Sequence, residues 1–131
     1  MSVFESAVTI SKSADIVYAF LADMNNHRQL MPDSITDWES TVDVASFNVQ
    51  NITKLSLKIE ERVAYTLIRI VPAEKPPFDL DLKWELNSAG NATEVNFVIT
   101  ADLNMMMKML ASGPLKKLAE EETANLVRLL S

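Results

Sequence analysis

The 131-residue sequence predicts an α+β domain, an antiparallel sheet of six to seven strands with its helices on one face. Three observations predict it. Residues 78–86 alternate without a break, Phe78, Leu80, Leu82, Trp84 and Leu86 against Asp79, Asp81, Lys83 and Glu85, so one face is buried and the other wet. The β pattern holds from residue 35 to residue 103. A helical period then takes over and runs to Leu130.

Residues 3–10 open with a strand carrying Phe4, Ser6, Val8 and Ile10 on one side. Ser13 can cap a helix whose apolar face is Ile16, Val17, Phe20 and Leu21. Asp23, Asn25 and Asn26 end it, and Leu30-Met31-Pro32 closes a second short helix. Residues 35–42, 44–50, 53–60 and 64–72 follow as strands rich in β-branched side chains, then the strand at 78–86. In 64–72 periodicity does not decide whether Tyr65, Leu67, Arg69 and Val71 or the alternate set faces inward. Asn87-Ser88-Ala89-Gly90-Asn91 is a hairpin turn, with Gly90 or Asn91 able to take positive φ. The return strand places Val95, Phe97, Ile99, Ala101 and Leu103 inward. Gly113-Pro114 interrupts the helical pattern that starts at Asn104, and Pro114 suits the first turn of a new helix over Leu115–Leu130.

Twelve Lys+Arg against eighteen Asp+Glu give a formal charge of −6, which argues against nucleic acid and against docking on an anionic membrane. With no cysteine, thiolate chemistry, disulfides and Cys-ligated metals are excluded, and a single histidine excludes a His-rich metal site. No cofactor is expected. No basic region with a following apolar run opens the chain, and no apolar stretch reaches the ~18 residues a bilayer span needs. One cytoplasmic domain over residues 1–131 is the expectation, with no membrane insertion and a monomer or homodimer as the state.

The order of elements, together with four local motifs, resembles the START-like superfamily, also called SRPBCC, the fold of the birch-pollen allergen. Residues 13–23, from Ser13-Ala14-Asp15-Ile16 to Ala22-Asp23, are similar to the family's first helix. Leu30-Met31-Pro32 is similar to the proline after its second helix, and Ala92-Thr93-Glu94-Val95 to its entry into the last strand. Asn125-Leu126-Val127-Arg128-Leu129-Leu130 is similar to its terminal helix. The resemblance covers the whole chain and implies a helix-grip fold, a strongly curved sheet wrapped around the C-terminal helix with a cavity between them. It implies binding of lipids, sterols, hormones or polyketides there and, in a few members, cyclisation or dehydration. The family has no universal catalytic motif, so no catalytic residue is carried over. The two glycines of this chain leave no glycine-rich loop over a cavity mouth, a departure that counts against a gated hormone receptor.

His27, in Asn25-Asn26-His27-Arg28-Gln29, is expected as a solvated loop residue and not as a general base. Asp79 with Asp81, and Glu60 with Glu61, read as solvated surface. The Asn-x-Thr sites at Asn51 and Asn91 read as chance. Met105-Met106-Met107-Lys108-Met109 holds four of the seven methionines. Met105, Met106 and Met109 are expected to line one end of the cavity as an adaptable lid, the alternatives being core filling or an exposed dimer patch. Trp38, Tyr65 and Trp84 carry polar tips suited to a cavity wall, and Phe97 and Leu118 belong to its apolar lining.

Glu122 is the sharpest candidate. At about 100° per residue, Leu118, Ala119, Leu126, Leu129 and Leu130 fall within about 60° of Leu115, and Glu122 falls in the middle of that stripe. A carboxylate there is costly unless paired, hydrated or protonated. It is expected to project into the cavity as its polar anchor, with Arg69 or Tyr65 as partner, unless the helix rolls or the acid snorkels to solvent. The expected function is binding or carriage of a small hydrophobic ligand, without chemistry. A cyclase/dehydratase-type enzyme and an interaction module with a filled cavity are the alternatives.

Overall fold

The computed structural model describes residues 1–49, 53–76 and 78–131. Gln50, at the end of the strand expected over 44–50, and Asn51 of the first Asn-x-Thr site lie outside the described residues. Alternation settles into a hairpin of β6 (Leu80–Ala89) and β7 (Ala92–Ala101). Trp84 lies opposite Phe97, Leu82 opposite Ile99 and Leu86 opposite Val95, so each cross-strand pair buries both members. Gly90 takes φ 68°, the left-handed conformation a two-residue hairpin turn requires there.

The other strands are β1 (Ser2–Ile10), β2 (Ile35–Ser40), β3 (Val44–Val49), β4 (Thr53–Val63) and β5 (Leu67–Pro72). They join the hairpin in the order β1-β7-β6-β5-β4-β3-β2, each neighbour antiparallel. Only β1 is out of sequence. From its edge the chain crosses to the far edge through α1 (Ala14–Leu21), α2 (Met24–His27) and a single tight turn, Arg28–Leu30. Ile68 and Ile70 pair with Trp84 and Leu82, which settles the face of β5 that periodicity left open. Ser13 occupies the N-cap position of α1, but its hydroxyl donates to the Asp15 carboxylate and not to the capping amide. The buried face of α1 is Ala14, Val17 and Leu21, while Ile16, expected inward, is exposed.

The last helix, α3, runs without a break from Met105 to Leu130. The expected restart at Gly113-Pro114 does not occur. Pro114 removes one amide donor, its own, and the buried Ala111 and Leu115 hold the helix against the sheet on both sides of it. Asn104 caps the start, its Oδ1 accepting from the Met107 amide at 2.8 Å. The buried face is Ala111, Leu115, Ala119, Glu122, Thr123 and Leu126, spaced by three and four. Its small side chains let the backbone approach β1, where the Ser6 and Thr123 hydroxyls hydrogen-bond at 2.7 Å. Asn125 Nδ2 donates to the Leu30 carbonyl at 2.8 Å and ties the helix to the turn before β2.

Two stability measurements test this packing. Phe97→Ala should cost about 3–5 kcal/mol in urea unfolding, and Val98→Ala, on the opposite face, about 1 kcal/mol or less. Equal costs would contradict the register. Pro114→Ala should raise stability by roughly 1–3 kcal/mol, because a continuous helix regains one hydrogen bond. A loss would mean that the helix is broken there.

Candidate functional site

The concave face of the sheet and α3 enclose two small voids of about 20 Å³ each. One is apolar, walled by Ile35, Val49, Leu55, Phe78, Leu80 and Leu115 among others. The second is walled by Met24, His27, Met31, Trp38, Ile70, Trp84 and Glu122. Phe47, Leu57, Leu82 and Leu118 line both and form the partition between them. A wider trough of about 550 Å³ lies on the outer face along Ala7, Thr9, Glu85, Asn87 and Asn96. It is open and buries no polar side chain, so the interior is the better candidate.

Each polar group of the second void arrives by a different route. Trp38 comes from β2, where Asp37 takes φ 56° and the register to β3 slips between Thr36 and Glu39. Asn48 Nδ2 donates to the Asp37 carboxylate at 2.5 Å and fixes that bulge. The extra residue puts Trp38 on the same face as Ile35, three positions away, and its ring stacks on Phe47 at 5.1 Å. Trp84 lies parallel to Phe97 at 3.9 Å and is fully buried. Neither indole Nε1 has a hydrogen-bond partner.

His27 is not a solvated loop residue. It is 2% exposed, because the single turn of α2 places it on the same side as Met24 and turns both inward. Its Nε2 donates to the Leu21 carbonyl at 2.7 Å, since that oxygen only accepts, which leaves Nδ1 as the ring's acceptor. Burial drives its pKa down to about 4, so the ring is neutral under ordinary conditions. It meets Trp84 edge to face at 6.0 Å.

Glu122 is 2% exposed. The helix neither rolls nor lets the acid reach solvent. Burial holds its carboxyl well above the ordinary value of 4.5, and among the described residues its side chain has no hydrogen bond and no cation. Burial therefore favours the carboxylic acid, a donor through O–H and an acceptor through C=O, over the carboxylate.

Of the residues expected at the site, Trp38, Trp84, Leu118 and Glu122 wall one void, and Phe97 supports Trp84 from behind. Arg69 and Tyr65 do not partner Glu122. Arg69 is on the outer face of β5, its Nε donating to Asp81 at 2.8 Å with Glu60 at 3.4 Å. Tyr65 sits in the β4–β5 turn at φ 65°, 54% exposed, with its ring against Tyr18. Met105, Met106 and Met109 wall neither void and are exposed, because they lie on the side of α3 opposite Ala111 and Leu115. No three His, Asp or Glu side chains come together among the described residues, so nothing there is arranged to hold a metal.

No family model and no curated protein sequence matches the chain. Solved structures do. KanY protein aligns with a TM-score of 0.80 at 15% identity, over 98% of this chain and 96% of its own. A START superfamily protein from Mycobacterium smegmatis aligns with a TM-score of 0.68 at 15% identity, over 97% and 98%. The fold is START-like. Norcoclaurine synthase from Thalictrum flavum, solved in complex with dopamine and hydroxybenzaldehyde, aligns with a TM-score of 0.73 at 10% identity, over 98% of this chain and 85% of its own. The START-like helix-grip architecture accounts for both voids, which lie between the sheet and the helix it grips.

The raised pKa of Glu122 gives a signed prediction. A carboxyl whose folded pKa is raised ionises in the unfolded chain first, so the contribution of Glu122 to stability falls as pH climbs from about 4.5 toward its folded pKa. Glu122→Gln removes that penalty. The variant should match the wild type near pH 4 and gain on it by up to about 1.4 kcal/mol per pH unit above that, read from urea unfolding at several pH values. A constant difference across pH would show an ionised Glu122.

Proposed function

We propose that this chain binds a small, mostly apolar molecule between the sheet and α3, with one hydrogen-bond-accepting end at Glu122, Trp38 and Trp84. The observation that carries this reading is the second void, whose wall is apolar except for one imidazole, two unpartnered indole N–H groups and an acid without a counter-ion. Buried polar groups ordinarily have partners, and a guest oxygen supplies them here. A carbonyl or hydroxyl fits three donors better than an ammonium does, since an ammonium cannot accept. Each void holds about one water, whereas a bound small molecule commonly occupies at least ~300 Å³. Entry therefore requires the partition at Leu118 to move, and a single aromatic ring system suits the space better than a lipid. Structures of this fold with small aromatic compounds, such as norcoclaurine synthase with hydroxybenzaldehyde, agree with that class of ligand. The same reading takes residues 1–131 as one domain working in the cytoplasm.

The test uses the chain's two tryptophans, which both wall the same void and so make intrinsic fluorescence a reporter of it. Titration with 2-acetonaphthone should quench it. Leu118→Ala, which merges the voids, should bind roughly tenfold tighter or more while costing about 1–3 kcal/mol of stability. If neither protein responds, and native mass spectrometry of protein purified without detergent finds no adduct, the interior is packed for its own sake and the interaction-module reading takes over.

A second reading has its own observation. A neutral acid and a neutral base, Glu122 and His27, share one apolar void, the arrangement a proton transfer on a bound carbonyl compound would use. Glu122→Gln that still binds acetonaphthone but no longer exchanges its α-protons with deuterated water would favour this enzyme; no exchange in the wild type would remove it.

A further inference from the structure

We infer that the first half of α3 is a docking face for an anionic lipid surface. Met105, Met106, Met109 and Leu110 are 83, 71, 83 and 52% exposed, an unusual concentration of apolar surface on two turns of helix. With about 100° per residue, these four, Lys116 and Lys117 fall within an arc of about 140°, opposite the buried Ala111, Leu115 and Ala119. Lys108 is exposed as well, but lies outside that arc, on the side of Leu115. Between Asp102 and Glu120 the sequence holds three lysines and no acid, so this segment carries +3 in a chain whose formal charge is −6. The whole-chain charge, which argues against an anionic membrane, does not describe this face.

The order along the helix matters as well. Apolar side chains come first and Lys116 and Lys117 follow two turns later, about 10 Å along the axis. A helix lying in a membrane interface has this form, methionines at the acyl boundary and ammonium groups at the headgroups. Lys117 also has Glu121 at 3.6 Å, an exposed pair too weak to hold it from a phosphate. A second copy of the chain fits less well, because a two-fold contact sets the patch against its own copy, two surfaces of the same positive sign. The other side of the same segment carries Pro114, Leu115 and Leu118, which wall the apolar void, so docking would set that void beside the lipid.

Flotation with phosphatidylcholine vesicles, with and without phosphatidylserine, tests the inference. The wild type should float with the serine-containing vesicles, less as salt rises, and weakly with phosphatidylcholine alone. Met105→Gln with Met109→Gln should abolish flotation at an unchanged melting temperature, glutamine being as good a helix former. Lys116→Gln should weaken it roughly fivefold. No flotation at low salt, equal flotation with both vesicles, or variants that float like the wild type would each overturn the inference. So would a dimer in sedimentation that the same methionine substitutions dissolve, which would assign the patch to a second copy.

Discussion

The parallel stack of Trp84 on Phe97, 3.9 Å apart across the β6–β7 hairpin, is the contact to which the other parts of the molecule are referred. It requires both strands to turn these side chains inward, and a slip of one residue between them would send one of the two rings to solvent. From β7 the register passes to β1, and from β6 to β5. The Trp84 ring also meets His27 edge to face, so the stack fixes where the chain re-enters the concave face after α1. Each such ring buries about 150–250 Å². At about 25 cal/mol per Å² that is several kcal/mol per ring, enough to hold a buried acid nearby.

Much of the fold was legible because periodicity is a strong signal when one face is wet. The hairpin, the five-strand run and the long final helix all follow from it. Pro114 was misread, since a local rule about proline gives way where Ala111 and Leu115 anchor the helix on both sides. Glu122 could be found by helical arithmetic alone, because the apolar stripe that marks its position as inward lies on its own helix. Trp84 follows from alternation and Leu118 from the same helical stripe, but the position of Trp38 and the burial of His27 do not. Trp38 reaches the void through a bulge at Asp37, a shift that no alternation pattern records. His27 lies in a stretch of polar residues whose composition says loop, although Met24, His27 and Leu30 recur every three residues and are all buried. That short recurrence was the available signal.

The two ends of α3 put similar residues to different use. Its second half turns Ala119, Thr123 and Leu126 to the sheet and closes the interior. Its first half turns methionines outward, where a core would have claimed them. Pro114 marks the change between these halves, and the missing hydrogen bond falls where the helix passes from the covered interior to the open end. A helix that is one unit in secondary structure is thus two units in what it touches.

The buried His27 and Glu122 have a joint consequence for the charge that folding must move. Above about pH 4.5, and below both 6.5 and the raised pKa of Glu122, the unfolded chain carries an imidazolium at one position and a carboxylate at the other, while the folded chain carries neither. The number of bound protons is the same on both sides. Folding in that interval amounts to handing a proton from residue 27 to residue 122, with no net exchange with the buffer through this pair. Two groups that would each make the molecule sensitive to mild acid or mild base cancel one another there, although they come from opposite ends of the sequence. Calorimetry of folding in buffers of different ionisation enthalpy would then see this pair as silent in that window.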